Sequence, residues 1–396
     1  MLPPTKPDPL QRQSAVGAAV RGALHLAPGA PLLKPLSLIA GALAVLAGGY
    51  AAAAGWLAPA RLTPALIVSA LNTAGGTHAG FRRNHAKGEC VAGYFDGNGR
   101  ASGLSSAAVF GMTRTPVLGR FAIPGANPAA PDFGTPVRSM ALLFQLPHGE
   151  QWRTGMNNTG VFVVRTPQSF YAQQVASAPD PATGKPNPAR LKAFFASHPE
   201  TAPFLQWVKQ HPPSSALANG TYHSLNAFQL VAPDGSRRFA RWAMVPEQPY
   251  AALAKPAPRD PNFLAADLHQ QLQHGPLRWH LVLTLAEPGD VTDDATLAWP
   301  ATRSTVDAGT LTLTSTVPQA DGACRDVNFD PTVLPRGIAV SADPLLAARA
   351  SAYSNSFNRR TREEARAGTP SVPMSAAVPV AASGSSPSPT IPGAAQ

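Results

Sequence analysis

Only two cysteines, Cys90 and Cys324, occur in 396 residues. That scarcity excludes CxxC redox pairs, CxxCH haem attachment and paired zinc motifs. It leaves two readings open: one disulfide if the domain lies outside the cytoplasm, or two buried thiols. Charge is scarce too, with Asp, Glu, Lys and Arg at 14% of the chain against 44% apolar residues. Coiled coils and charged scaffolds are thereby excluded, while 43 prolines and 33 glycines favour a loop-rich fold with strands. Acids are the rarer sign, 22 against 32 Lys and Arg, for a formal charge of +10. Part of that excess sits near the N-terminus and no basic-aromatic stripe accompanies it, so no nucleic-acid partner is expected.

One stretch lacks charge altogether. From Pro35 to Ala60 the chain carries no charged residue, and LSLIAGALAVLAGGYAAAAGWLA within it is long enough to span a bilayer. Lys6, Arg12, Arg21 and Lys34 precede it against the single acid Asp8, which predicts a cytoplasmic N-terminus and export of the chain beyond residue 60. The expected organisation is a Pro-rich polar cytoplasmic segment at 1–34, a transmembrane anchor or cleaved signal at 35–60, and a working domain at 61–366. A Pro/Ser/Ala tail at 367–396 is expected to be disordered. The expected location is a bacterial-type inner membrane, single-pass, with the domain in the periplasm.

Inside the domain, β patterning dominates. CVAGYF before DGNG, MALLFQL before PHGE, VFVV, FQLVAPDGSRRFARWAMV with its PDG turn, WHLVLTLA and GTLTLTSTV read as strands and hairpins. Helices are expected at Pro188 to about His198, at Asp260 to His274 before Gly275, and from Asp343-Pro344 onward. No βαβ rhythm appears, so the fold class is α+β, an antiparallel sheet or barrel with added helices.

Two constellations stand apart. RRNHAKG at 82–88 places His85 among Arg82, Arg83 and Lys87, and flanking cations favour its neutral form. On the last helix Arg349, Tyr353, Phe357 and Arg360 share one face. A semi-exposed helix with snorkelling side chains explains that stripe. A second reading also does: Arg349, one turn from the phenol of Tyr353, favours its ionised form, a hard ligand for ferric iron of the kind found on haem.

RRNHAKG followed by GYF, GRF at 119–121, MNNTGVFVVRTPQSF at 156–170, WP at 299–300, FDPTVLPRGI at 329–338 and DPLLAARASAY at 343–353 run in the order of the haem catalase family. The chain resembles that family from about Ala65 to Glu364, and most closely its short, membrane-anchored branch of catalase-related peroxidases. The resemblance implies an antiparallel β-barrel core, no C-terminal helical or flavodoxin-like domain, and non-covalent ferric haem b. It makes His85 the distal histidine, Asn157 its partner for bound peroxide, and Tyr353 the axial ligand to haem iron, held ionised by Arg349. Arg82, Arg120 and Arg360 match arginines that bind haem propionates. Phe170 matches a ring stacked on the porphyrin, and Asn84 stands where an apolar valine usually lies over it. Phe357, on the stripe of the last helix, joins the cofactor-binding set.

The chain also departs from the large catalases. Ala122 stands where they have a serine bonded to the distal histidine, so His85 must be oriented otherwise. Pro136 stands where they carry a channel aspartate, which leaves a more apolar entrance. Their tetramer-forming arms are mostly missing, so a monomer or homodimer is expected. These departures favour a peroxidase that reduces organic hydroperoxides, and hydrogen peroxide, at the expense of an organic donor. A true catalase and a non-catalytic haem-binding protein are the alternatives. The expected partners are the peroxide, the reductant and, through the N-terminal segment, the membrane.

Overall fold

Period-two alternation is most regular in LRWHLVLTL, where Leu277, Trp279, Leu281, Leu283 and Leu285 are buried and the residues between them are not. That pattern belongs to a sheet with one face on a core. The computed structural model describes residues 33–54 and 61–367. In chain order its elements are α1 (Leu33–Ala53), α2 (Pro64–Gly75), β1 (Gly88–Gly97), β2 (Arg114–Ala122), β3 (Ser139–Gln145) and β4 (Gln151–Asn157). Next come α3 (Pro167–Ser177), α4 (Pro188–Ser197), α5 (Ala202–Gln210), β5 (Tyr222–His223), β6 (Phe228–Val231) and β7 (Arg237–Pro246). The chain continues through α6 (Phe263–His274), β8 (Leu277–Leu285), β9 (Thr305–Pro318), β10 (Ile338–Val340) and α7 (Pro344–Ala367).

All pairings are antiparallel, in the order β5-β4-β3-β2-β1-β9-β8. β7 bonds both β5 and β8 and so closes eight strands into a barrel, which removes the open edges of the sheet. β6 and β10 extend from β7. The barrel interior is filled, not open: Phe95, Phe121, Phe144, Trp152, Trp242 and Trp279 belong to one buried cluster. Phe144 stacks on Trp152 at 4.7 Å between ring centroids, and Trp152 meets Trp242 edge-on at 5.0 Å.

Two local expectations fail for physical reasons. VFVV at 161–164 forms no strand. Val163 and Val164 instead bury against Phe194 of α4 in a satellite cluster, and Phe162 N bonds Ala295 O. Burial against a helix gives the same apolar run as burial in a sheet. The helices α2 and α3 were not anticipated, although each opens on Thr-Pro. Thr63 Oγ1 accepts from Leu66 N, and Thr166 Oγ1 accepts from Ser169 N, with proline at the first helical position each time. The short α5 was not anticipated either.

The apolar segment does form helix α1. Among the described residues no helix is long and apolar enough to cross a membrane. The expected span of 35–60 runs beyond α1 into residues 55–60, which lie outside the described residues. So do residues 1–32 and 368–396, and with them nearly all of the expected cytoplasmic segment and tail.

Candidate active site

The strand register builds one wall of the site. Gly88, Ala122, Ser139 and Asn157 are successive cross-strand partners on β1 to β4, and Asn157 pairs onward with His223 of β5. Directly paired residues project to the same side of a sheet. Their neighbours Phe121, Met140 and Met156 join the barrel core, so the row faces outward. Two residues along, Arg120 pairs with Ala141 and Ala141 with Gly155, extending the same face. Helices α2, α3 and α7, which pack on one another, complete a cavity of about 540 Å³. Small strand residues make the room. A Cβ on Gly155, which lines the cavity, would come within 2.9 Å of Arg349 Nη2.

All ten site residues expected from the sequence line this cavity: Arg82, Asn84, His85, Arg120, Asn157, Phe170, Arg349, Tyr353, Phe357 and Arg360. His85 has φ +57°, a left-handed conformation that costs a non-glycine residue free energy. Its backbone is held on both sides. Asn84 Oδ1 accepts from His85 N at 2.9 Å and from Gly125 N at 2.8 Å, and Arg120 Nη2 donates to His85 O at 2.6 Å. Asn84 thus has a job the sequence did not show, latching the loop that presents the histidine. Burial first, then Arg120, Arg349 and Arg82, push the His85 imidazole down to about 3, so the ring is neutral at ordinary pH.

Ala122 offers His85 no hydroxyl, and the nearest one comes from the next strand. Ser139 Oγ lies 3.3 Å from His85 Nδ1 and donates to Asn157 Oδ1 at 2.7 Å.

Arg82, Arg120 and Arg360 form a cationic corner. Arg82 donates to Cys324 O and Val327 O, Arg120 Nε to Gln319 Oε1 at 2.5 Å, and Arg360 to Arg325 O at 2.5 Å. Among the described residues no carboxylate pairs with Arg82 or Arg120, and Asp326 stands 4.0 Å from Arg360. Burial, then Arg120 and Arg360, hold Arg82 well below the usual guanidinium range. Burial, then Arg360, brings Arg120 down to about 9. Buried cations answered mainly by carbonyls leave unspent attraction for an anion.

On the helix side, Asp343 caps α7 by accepting from Leu345 N, as its position predicts. Asp343 Oδ2 accepts from Asn226 Nδ2 at 2.8 Å, and Asn226 Oδ1 accepts from Arg349 Nη1 at 2.8 Å. Arg349 Nη2 in turn donates to Gly155 O at 3.1 Å and to the Tyr353 hydroxyl at 3.2 Å. Phe170 lies parallel to Phe162 with ring centroids 6.2 Å apart, and Arg360 Cζ sits 5.2 Å from the Phe357 centroid. Ser139, Asn226, Gln319 and Gly155 were missed. Each acts on a partner brought from another strand or helix, so no local pattern marks it.

The two cysteines are joined: Cys90 of β1 bonds Cys324, with Cα atoms 5.4 Å apart.

A protein-family model described as catalase matches residues 70–372. The chain is 38% identical to the catalase-related peroxidase of Synechococcus elongatus, over 76% of its own length and 89% of the relative's. It is 34% identical to the catalase-related peroxidase of Mycolicibacterium paratuberculosis, over 78% of its own length and 99% of the relative's. Among solved structures, a fungal catalase matches with a TM-score of 0.66 at 19% identity, covering 72% of this chain and 61% of that one. The chain therefore spans about three fifths of that catalase's length.

Proposed function

The chain belongs to the catalase family, and from that membership we propose that it is a haem peroxidase reducing organic hydroperoxides, and hydrogen peroxide, with electrons from an organic donor. One observation carries this reading. A neutral histidine linked through a serine to an amide, a tyrosine hydroxyl bonded to a guanidinium, and a corner of three arginines line a single cavity.

The residues present suit haem. Arg82 and Arg120, with no carboxylate partner among the described residues, and Arg360 beside them, 4.0 Å from Asp326, would take its two carboxylates, for which guanidinium has the right donor fork. Tyr353, whose hydroxyl accepts from Arg349, would supply an oxygen ligand to the iron, and Phe170 and Phe357 would pack on the ring. Gly155 leaves space on the cavity wall that a side chain would otherwise fill. Bound haem supplies the electron transfer that cleaves the peroxide O–O bond.

The protein's own work is proton traffic and access. His85, neutral and with Nδ1 turned to Ser139, has Nε2 left to take the proton from the peroxide oxygen and return it to the departing one. Asn157, its Oδ1 engaged by Ser139, has its Nδ2 hydrogens left to donate to the peroxide and steady charge building on the leaving oxygen. The apolar walls from Ile67, Val68, Leu71, Phe162 and Phe204 exclude water and favour substrates with a hydrocarbon group.

His85→Ala tests the assignment. Haem content should be unchanged and the rate of peroxide cleavage should fall at least about a hundredfold. Equal turnover in the variant would remove His85 from the mechanism. Oxygen release from hydrogen peroxide without a donor, measured on the wild type, separates peroxidase from catalase action.

The domain is placed outside the cytoplasm, delivered or anchored by the apolar segment at 35–60. The disulfide supports this, because thiols are kept reduced in most cytoplasms. Leu38, Leu43, Val45 and Leu46 of α1, each 61–76% exposed, give that segment an apolar surface.

A further inference from the structure

We infer that Ser139 is the positioning residue of the site, one hydroxyl that fixes both the tautomer of His85 and the orientation of the Asn157 amide. The inference rests on the peroxidase reading for its consequence in turnover, but its geometry stands by itself.

A carboxamide oxygen only accepts hydrogen bonds, so at 2.7 Å from Asn157 Oδ1 the Ser139 hydroxyl must donate. Its single hydrogen is then committed. Towards His85 Nδ1, 3.3 Å away, the serine oxygen can only accept, and Nδ1 must carry the proton. A neutral imidazole protonated on Nδ1 has a bare Nε2, the atom that must act as base. The same bond occupies Asn157 Oδ1 and leaves Nδ2 as the amide's free end, the end that donates. One side chain thereby sets a base and a donor at once.

The strand register holds the arrangement. Ser139 is the cross-strand partner of Asn157 on one side and of Ala122 on the other. The adjacent Arg138 N donates to Asn158 Oδ1 at 2.8 Å, and Asn158 N donates to Arg138 O, which clamps β3 to the end of β4. Ala122 lines the same cavity and lies beside Ser139 on the same face, so a hydroxyl placed at 122 would start from the neighbouring position.

The test uses the ferric holoenzyme and three variants: Ser139→Ala, Ser139→Thr, and Ala122→Ser combined with Ser139→Ala. Two rates are read, peroxide cleavage and cyanide association, the second because hydrogen cyanide must lose a proton to bind and so reports the base without turnover. Ser139→Ala should lose roughly ten- to hundredfold in both, the range for removing an orienting partner. Ser139→Thr and the double variant should each recover at least about tenfold of that loss. Rates in Ser139→Ala within about twofold of wild type would overturn the inference. So would loss of haem in Ser139→Ala with no recovery in either hydroxyl-bearing variant, because the serine would then be a packing residue. If wild-type enzyme left peroxides intact the peroxidase reading would fall, and cyanide association would still decide the role of Ser139.

Discussion

At the scale of residues, His85 shows how a base is kept available by its surroundings. Burial and three nearby guanidiniums lower its pKa from 6.5 to about 3, with burial the largest cause. That direction sets the sign of the pH dependence. Between about pH 3 and pH 6.5 the unfolded chain binds a proton that the native pocket refuses, so His85 makes the protein less stable as pH falls through that window. His223, lowered to about 4 by burial first and then His211, acts in the same direction. Activity behaves differently. The ring stays neutral, so kcat/KM should show no acid limb at the ordinary histidine value and should stay flat from about pH 8 to about pH 5. A limb near pH 6.5 that disappears in His85→Ala would mean the ring titrates freely. His85 and Tyr353 were legible because their neighbours in sequence carry the pattern. Ser139 and Asn226 were not, because each acts only on a partner brought from another strand or helix.

Among elements, the outward face of β1 to β4 forms one wall of the cavity. Alternation puts Phe121, Met140 and Met156 into the barrel and leaves Gly88, Ala122, Ser139, Ala141 and Gly155 on the side facing α7. Gly155 is the tightest link between the two, since its carbonyl accepts from Arg349 and its missing Cβ gives that guanidinium room. Gly155→Ala should therefore move Arg349 away from Tyr353 and speed haem loss roughly tenfold, with the far-UV circular dichroism unchanged. Haem transfer to an excess of a haem-scavenging globin measures it, and wild-type kinetics would show that Arg349 tolerates the methyl. The helices that frame the cavity were only partly readable. α7 announces itself with Asp343-Pro344 and a run free of glycine and proline, whereas α2 and α3 carry the same Thr-Pro start signal on shorter, weaker apolar patterns.

For the molecule as a whole, the disulfide ties the barrel to the segment that receives the cationic corner. Cys324 lies 234 residues from Cys90, and the carbonyls of Cys324 and Val327 are the acceptors of Arg82. Closing so long a loop stabilises by restricting the unfolded chain. Cys90→Ala with Cys324→Ala should lose about 2–5 kcal/mol in urea unfolding and should also bind haem more weakly. The same bond marks the compartment. Protein recovered from the extracytoplasmic fraction should carry no maleimide-reactive thiol until it is reduced, and free thiols in that fraction would contradict the proposed location.

The sequence alone pointed to the chemistry-bearing residues and their order along the chain. His85 in RRNHAKG and the Arg349–Tyr353–Phe357–Arg360 stripe stand out by local spacing, Asn157 in MNNTG through the family resemblance, and period-two runs pointed to an antiparallel sheet or barrel. What only the tertiary structure decided were the relations between distant segments. These are the disulfide that composition left open, the satellite cluster that takes VFVV out of the sheet, the Asp343–Asn226–Arg349–Tyr353 chain, and the serine delivered from β3 to a histidine that Ala122 cannot reach. The physical reason is common to all of them. A hydrogen bond or a packed contact between residues far apart in sequence depends on strand register and helix placement, and no local pattern in the chain encodes either one.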